Sequence, residues 1–196
     1  DLQDTSSFDR DTIGFAVRGG YPITERLSQR WKYSLRQTDI NDIDSSASRF
    51  IRDQEGTTIR SEISHRIAYD RRDSAVTPTK GYIVRLTNDV AGLGGDANYL
   101  RNRLHGVHFY SLKDQWVLAS TASGGAIMGI GEDVRLPDRF FIGGDDLRGF
   151  TNAGIGPRDS NTQDALGGEW FLLASLQLSF PFGLPPELGI TGRVFT

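Results

Sequence analysis

Apolar and polar side chains alternate two by two along most of this chain, the period of a β-strand with two different faces. A first run, about 11–21, sets Ile13, Phe15, Val17 and Tyr21 against Thr12, Ala16 and Arg18. A second, 29–38, opposes Trp31, Tyr33 and Leu35 to Arg30, Lys32, Ser34 and Arg36. The third, 57–70, carries Ile59, Ile63, Ile67 and Tyr69 against Arg60, Glu62, Ser64 and Arg66. The fourth, 81–91, places Tyr82, Val84, Leu86 and Val90 opposite Arg85, Thr87 and Asp89, and the fifth, 98–112, places Leu100, Leu104, Tyr110 and Leu112 opposite Arg101, Arg103 and His105. The sixth, 115–129, is apolar with many small residues. The seventh, 169–180, alternates from Trp170 and Leu172 to Phe180, with Glu169, Ser175, Gln177 and Ser179 on the other face. An eighth run starts at Glu187 and is still in progress at Thr196. The pattern predicts an all-β antiparallel meander of about eight strands.

The connections are uneven. Pro22 to Arg26, Asp73 to Lys80 around Pro78, Lys113-Asp114 and Pro181 to Pro186 are short turns, whereas 38–56 and 131–168 are long. A structureless connection as long as the second is uncommon in a compact domain and usually has a task. Alternation also suits a soluble β-sandwich, which stays open as a binding module. The uneven connections, the strands of similar length and the aromatic residues near strand ends (Tyr21, Trp31, Tyr69, Tyr82, Tyr110, Trp116, Trp170) fit a transmembrane β-barrel better. In that reading Arg18, Arg30, Lys32, Arg36, Arg60, Glu62, Arg66, Arg85, Arg101 and Arg103 line a wet interior.

Composition narrows the classes. The 196 residues suit one domain, and the absence of cysteine removes disulfides and thiolate metal sites. A net charge of −3 argues against a nucleic-acid binder. No apolar run approaches the roughly 18 residues of a membrane helix, which leaves spanning by strands open. The opening Asp1-Leu2-Gln3-Asp4 is not a signal peptide.

Little of the chain points to chemistry. Asp145 and Asp146 are adjacent and cannot face each other as an acid/base pair, so no catalytic residue is assigned. His65, His105 and His108 lack metal-ligand spacing, and Asn41-Asp42-Ile43-Asp44 lacks the glycine and distal glutamate of a calcium loop. The Gly-rich segments 92–95 and 124–131 carry no phosphate-cradling pattern and read as bends and small-residue packing. No metal and no cofactor are expected. One segment stands apart: Arg139-Phe140-Phe141-Ile142-Gly143-Gly144-Asp145-Asp146-Leu147-Arg148-Gly149-Phe150, a Gly-rich stretch with Arg148 among apolar neighbours, suited to packing against something with the cation reaching a fixed acceptor.

That segment, followed by Gly154-Ile155-Gly156-Pro157-Arg158 and Gly167-Gly168, resembles the sixth extracellular loop of the BamA family of outer-membrane protein assembly factors. Tyr21-Pro22-Ile23-Thr24-Glu25 resembles one of that family's periplasmic turns, Asp73 through Pro78-Thr79-Lys80-Gly81 its aspartate, proline-threonine and glycine element, and Ala174-Ser175-Leu176 the strand after the loop. The resemblance implies a partial outer-membrane β-barrel domain over 1–196, about eight strands of a sixteen-stranded barrel, with 131–168 as a long inward-folding loop. It places the eight runs at strands six to thirteen, without the periplasmic POTRA domains and both barrel ends. It implies a loop-docking motif of Leu147, Arg148, Gly149 and Phe150 with Phe141, Gly143 and Gly144. Gly149 would permit close backbone approach, with Phe150 packing beside it. The family's arginine acceptors are carboxylates on the two strands after the loop. Here the first matching position is Gln177, the second falls past Thr196, and Glu169 is the nearest inward alternative.

The implied function is non-enzymatic: folding and inserting β-barrel proteins into the bacterial outer membrane. The implied partners are outer-membrane lipids, unfolded β-barrel substrate proteins and, through the POTRA domains, assembly lipoproteins, with no nucleic acid. Eight strands are a permitted number for a small closed barrel; left open as a half barrel they expose two unpaired edges for self-association, and the sequence leaves both outcomes open. A two-partner-type secretion transporter of the same superfamily shares the Arg-Gly-Phe loop and is the alternative.

Overall fold

The structure, a computed structural model, describes residues 9–41, 48–182 and 191–196. The opening Asp1 to Asp4, residues 42–44 of the acidic segment and the start of the eighth run at Glu187 lie outside the described residues. The strands are β1 (Asp9–Pro22), β2 (Leu27–Asn41), β3 (Gly56–Asp70), β4 (Gly81–Ala91), β5 (Tyr99–Lys113), β6 (Trp116–Gly129), β7 (Trp170–Pro181) and β8 (Thr191–Phe195). They form one sheet in the order β1-β2-β3-β4-β5-β6-β7-β8, every neighbouring pair antiparallel. Among the described residues β1 and β8 do not pair with each other, so the sheet is open at both edges.

The two-residue period sorts the side chains as expected, because successive residues of a strand point to opposite faces. Ile13, Phe15, Val17, Leu104, Leu112, Trp170, Leu172 and Leu176 all lie on one face and are exposed, Trp170 and Leu172 at 75% and 76%. The opposite face carries the charges, and among the described residues no second sheet or long helix covers the apolar one. An exposed apolar sheet face this wide is a lipid-facing surface. No helix among the described residues is long and apolar enough to cross a membrane.

The short connections share one end. There the strand-end aromatics pair across strands: Tyr69 with Tyr82 at 6.0 Å, and Trp116 stacked on Phe180 at 5.5 Å. The turn between β3 and β4 is organised by Asp73, whose carboxylate accepts from the backbone N–H groups of Ser74, Thr79 and Lys80 and from the Thr79 hydroxyl.

At the other end the structure departs from the expected loops. β2 continues to Asn41, and Arg49–Arg52 form a single helical turn capped by Ser48, whose Oγ accepts from Phe50 N–H at 3.3 Å. The β4–β5 link runs on along β3, with Gly92 N–H donating to Ser61 and Asp96 N–H to Ile59. Between β6 and β7 the chain is folded. A 3-10 turn, Leu136–Asp138, roots it, and the bridges Phe140–Gly168, Ile142–Ile155 and Arg158–Ala165 hold its two arms together. A small core of Ala91, Ala97, Tyr99, Ile127 and Val134, joined by Phe140, lies beneath the root.

Candidate functional site: a long loop against the inner wall

β5, β6 and β7 place their odd-numbered residues on the inner face, where the loop meets them. Arg103 stands opposite Gly125 on β6, and Gly125 opposite Phe171 on β7. Gly125 leaves room for the Phe140 and Phe171 rings, which meet edge to face at 4.8 Å. A Cβ there would come within 2.6 Å of Phe171 and 2.9 Å of Phe140.

Charge attaches the root. Asp138, buried with its side chain 3% exposed, lies 2.8 Å from an Arg60 Nη on β3. This is a charge contact without hydrogen-bond alignment. Burial pushes the Asp138 carboxyl above its ordinary range, and Arg60 and Arg101 pull it back. Arg135 donates to Thr58 Oγ1 at 2.8 Å, and Arg101 reaches the Asp138 carbonyl. Arg101 also bonds Glu62 at 3.0 Å and Asp89 at 2.9 Å, while Arg103 shares the same Asp89 oxygen at 2.9 Å. The Tyr99 hydroxyl donates to Glu62, closing a network that joins β3, β4, β5 and the loop. Buried charges persist only when paired in this way.

The loop tip is attached separately. Ser48 is fully buried: its N–H donates to Asp164 and its hydroxyl to Asp159, both at 2.6 Å. The Ser48 hydroxyl holds the Asp159 carboxyl below its usual range, helped by the N–H groups of Asn161 and Thr162. Inside the tip, Arg158 donates to the carbonyls of Gln163 (2.7 Å) and Ala153 (2.9 Å).

The sequence motif sits between root and tip. Gly143 and Gly144 adopt φ of 138° and 59°, and Gly144 N–H donates to the Phe150 carbonyl at 2.9 Å, folding 143–150 into a compact turn. Gly149 has φ 94° with open space about its Cα, so its requirement is conformational rather than one of close approach. Asp145 and Asp146 are exposed on this turn, and Phe141 and Phe150 are 37% and 51% exposed.

Leu147 and Arg148 overlie a cleft lined by Thr121, Ser123, Ser175 and Gln177. The guanidinium of Arg148 lies over the Phe195 ring of β8, 4.9 Å from its centre. Gln177 lines the same cleft, and Glu169 lies 3.7 Å from Arg139, its ion-pair partner among the described residues. The contacts at Arg60, Asp138, Arg135, Ser48 and Asp159 were not singled out from the sequence as loop attachments. Inward charge on alternating strands was legible, but not which loop carboxylate meets which cation.

No group of histidines and carboxylates that could hold a metal ion occurs among the described residues. The described residues show a long loop tied by charge contacts and hydrogen bonds to one face of a sheet whose other face is apolar.

Known proteins bear on this geometry. The family profile of the Omp85 superfamily domain matches residues 1–196. The chain is 37% identical over 177 residues to the outer membrane protein assembly factor BamA of Neorickettsia risticii, covering 89% of this chain and 24% of that protein. It is 33% identical over 187 residues to the BamA of Nitratidesulfovibrio vulgaris, covering 93% and 23%. It therefore spans about a quarter of the length of these bacterial relatives. The human sorting and assembly machinery component 50 homolog is 28% identical over 197 residues, covering 97% of this chain and 40% of that one. Among solved structures, BamA from Haemophilus ducreyi lacking POTRA domains 1–3 superposes with a TM-score of 0.80, covering 96% of this chain and 41% of that one at 20% identity. An eight-stranded antiparallel meander, one lipid-suited face, a long loop folded on the other and these similarities over nearly the full length lead to one assignment: the chain belongs to the Omp85 superfamily.

Proposed function

We propose that this chain is part of the membrane barrel of an assembly factor that folds and inserts β-barrel proteins into the bacterial outer membrane. The observation that carries the reading is the loop between β6 and β7, rooted by Asp138 on Arg60 and clasped by Ser48, on the face opposite the exposed Trp170 and Leu172. A loop so fixed braces the wall, so that insertion of a client strand elsewhere in the parent barrel meets a stiff sheet rather than a collapsing one. The motif from Leu147 to Phe150 belongs to that brace, with Arg148 held above the cleft containing Gln177 and Phe195.

The reading assigns no catalytic residue. Its partners are outer-membrane lipids on the apolar face, unfolded β-barrel substrates, and assembly lipoproteins acting through parts of the parent protein outside this chain. The free edges of β1 and β8 would take neighbouring strands of the parent barrel, and in the isolated chain a second copy. The test is complementation. In cells depleted of their own assembly factor, the parent protein should restore heat-modifiable outer-membrane proteins, and its Arg148→Ala variant should restore fewer. Export of a soluble protein with no effect on barrel assembly would replace this reading with a secretion transporter.

A further inference from the structure

The inner wall carries more cation than the site needs. Arg60, Arg101 and Arg103 meet Asp138, Glu62 and Asp89. Arg18, Arg30, Lys32, Arg36, Arg66 and Arg85, on the same face of β1 to β4, have no ion pair among the described residues. The register sets like charges directly opposite each other: Arg18 against Lys32, Arg30 against Arg66, and Arg36 against Arg60. Such pairs weaken a sheet, and the chain as a whole is acidic, at −3. A general cationic bias therefore does not explain the cluster.

Arg30, Arg66, Arg85 and Arg103 border a hollow of about 810 Å³ that reaches Pro22 and Ser28 at the short-turn end. That volume lies within the range of about 300–1,000 Å³ typical of ligand clefts.

We infer that this hollow receives an extended, acidic polypeptide segment entering from the short-turn end. Two observations favour a polypeptide over other anions. The adjoining part of the wall already takes a carboxylate from a chain segment, Asp138 on Arg60. And Arg30, on the hollow, lies two residues from Lys32 in the adjoining cleft, a spacing of about 6.8 Å that an extended peptide repeats in its own same-side carboxylates. Guanidinium groups bind carboxylates with two parallel hydrogen bonds, which adds register to charge.

The inference rests on reading this face as a water-filled interior, and the experiment separates the two. The full-length parent protein, in zwitterionic lipid vesicles, is titrated with a fluorescent peptide of alternating Asp and Thr, and with its Asn-Thr counterpart. The Asp peptide should bind and weaken as salt rises. An Arg30→Gln, Arg66→Gln, Arg85→Gln variant that keeps its heat-modifiable mobility should bind about tenfold less tightly, and Arg30→Lys should bind more weakly than wild type but more tightly than Arg30→Gln. Equal binding by the triple-Gln variant, no binding by wild type, or inorganic polyphosphate competing as well per charge would each overturn the inference. Arg66→Cys should react with a charged, water-soluble maleimide in the folded barrel. Failure of that labelling would instead overturn the interior reading itself.

Discussion

Asp138, at the root of the long loop, lies 2.8 Å from Arg60 of β3, joining two segments far apart in the chain through a buried carboxylate and a partly exposed guanidinium. Removing Arg60 leaves the buried Asp138 carboxylate with only the weaker pull of Arg101 and Arg135. Arg60→Met should therefore destabilise the folded barrel by about 1–3 kcal/mol. The temperature at which the fast-migrating folded band of the full-length protein converts to the unfolded one should fall, and proteases should cut within 139–168. The exchanged pair, Arg60→Asp with Asp138→Arg, should recover part of the loss. An unchanged conversion temperature in Arg60→Met would refute the pairing as an anchor.

The clasp at the loop tip should respond to pH. The folded-state carboxyl of Asp159 is held below its usual range by the Ser48 hydroxyl. A depressed carboxylate contributes stability that is fully present above its unfolded pKa of about 3.9 and is lost as pH falls through the lower folded value. Tip attachment, followed by distance labels on the β2–β3 loop and the tip, should hold at neutral pH and open only under strong acid. Ser48→Ala keeps the N–H bond to Asp164 but should loosen the tip at neutral pH and remove the Asp159 contribution to the acid transition.

Gly125 sets how closely the loop lies on the wall. Gly125→Val would drive a side chain into Phe140 and Phe171, an overpacking cost of about 1–3 kcal/mol. Reduced protection of Phe140 from oxidative footprinting in Gly125→Val, with folded-state stability partly recovered in a Gly125→Val, Phe140→Leu double variant, would identify the ring contact as the cause.

At the opposite end, Asp73 ties the β3–β4 turn through its hydrogen bonds to Ser74, Thr79 and Lys80, which hold its carboxyl well below the usual range, with the Thr79 hydroxyl the largest cause. Asp73→Ala should slow refolding into detergent, since these bonds set the turn that registers Asp70 against Ile83. Asp73→Asn should retain part of the rate. Equal refolding rates for wild type and Asp73→Ala would show that the strands find register without the turn.

Much of this was legible along the chain. Trp170, Leu172 and Leu104 could be assigned to one face and Arg101, Arg103 and Arg30 to the other, because the two-residue period of a strand is a local property that survives any tertiary arrangement. The segment from Arg139 to Phe150 declared itself by composition, and its glycines stand where positive φ is required. The contacts of that segment were less accessible. The arginine singled out from the motif, Arg148, lies over Phe195, and the charges that root the loop belong to Arg60 and Asp138.

What the sequence by itself determined is therefore the strand succession, the two faces and the place of the long loop, all set by side-chain alternation and turn residues within a few positions of one another. Only the tertiary structure decided that Asp138 meets Arg60, that Ser48 holds Asp159, and that Arg18, Arg30 and Arg36 each face another cation across the register. Those pairings depend on strand stagger and on the path of a folded loop. Stagger follows from turn geometry and from keeping one face apolar on every strand at once, and the loop's path from the wall charges its buried carboxylate can meet, so both are properties of the whole sheet.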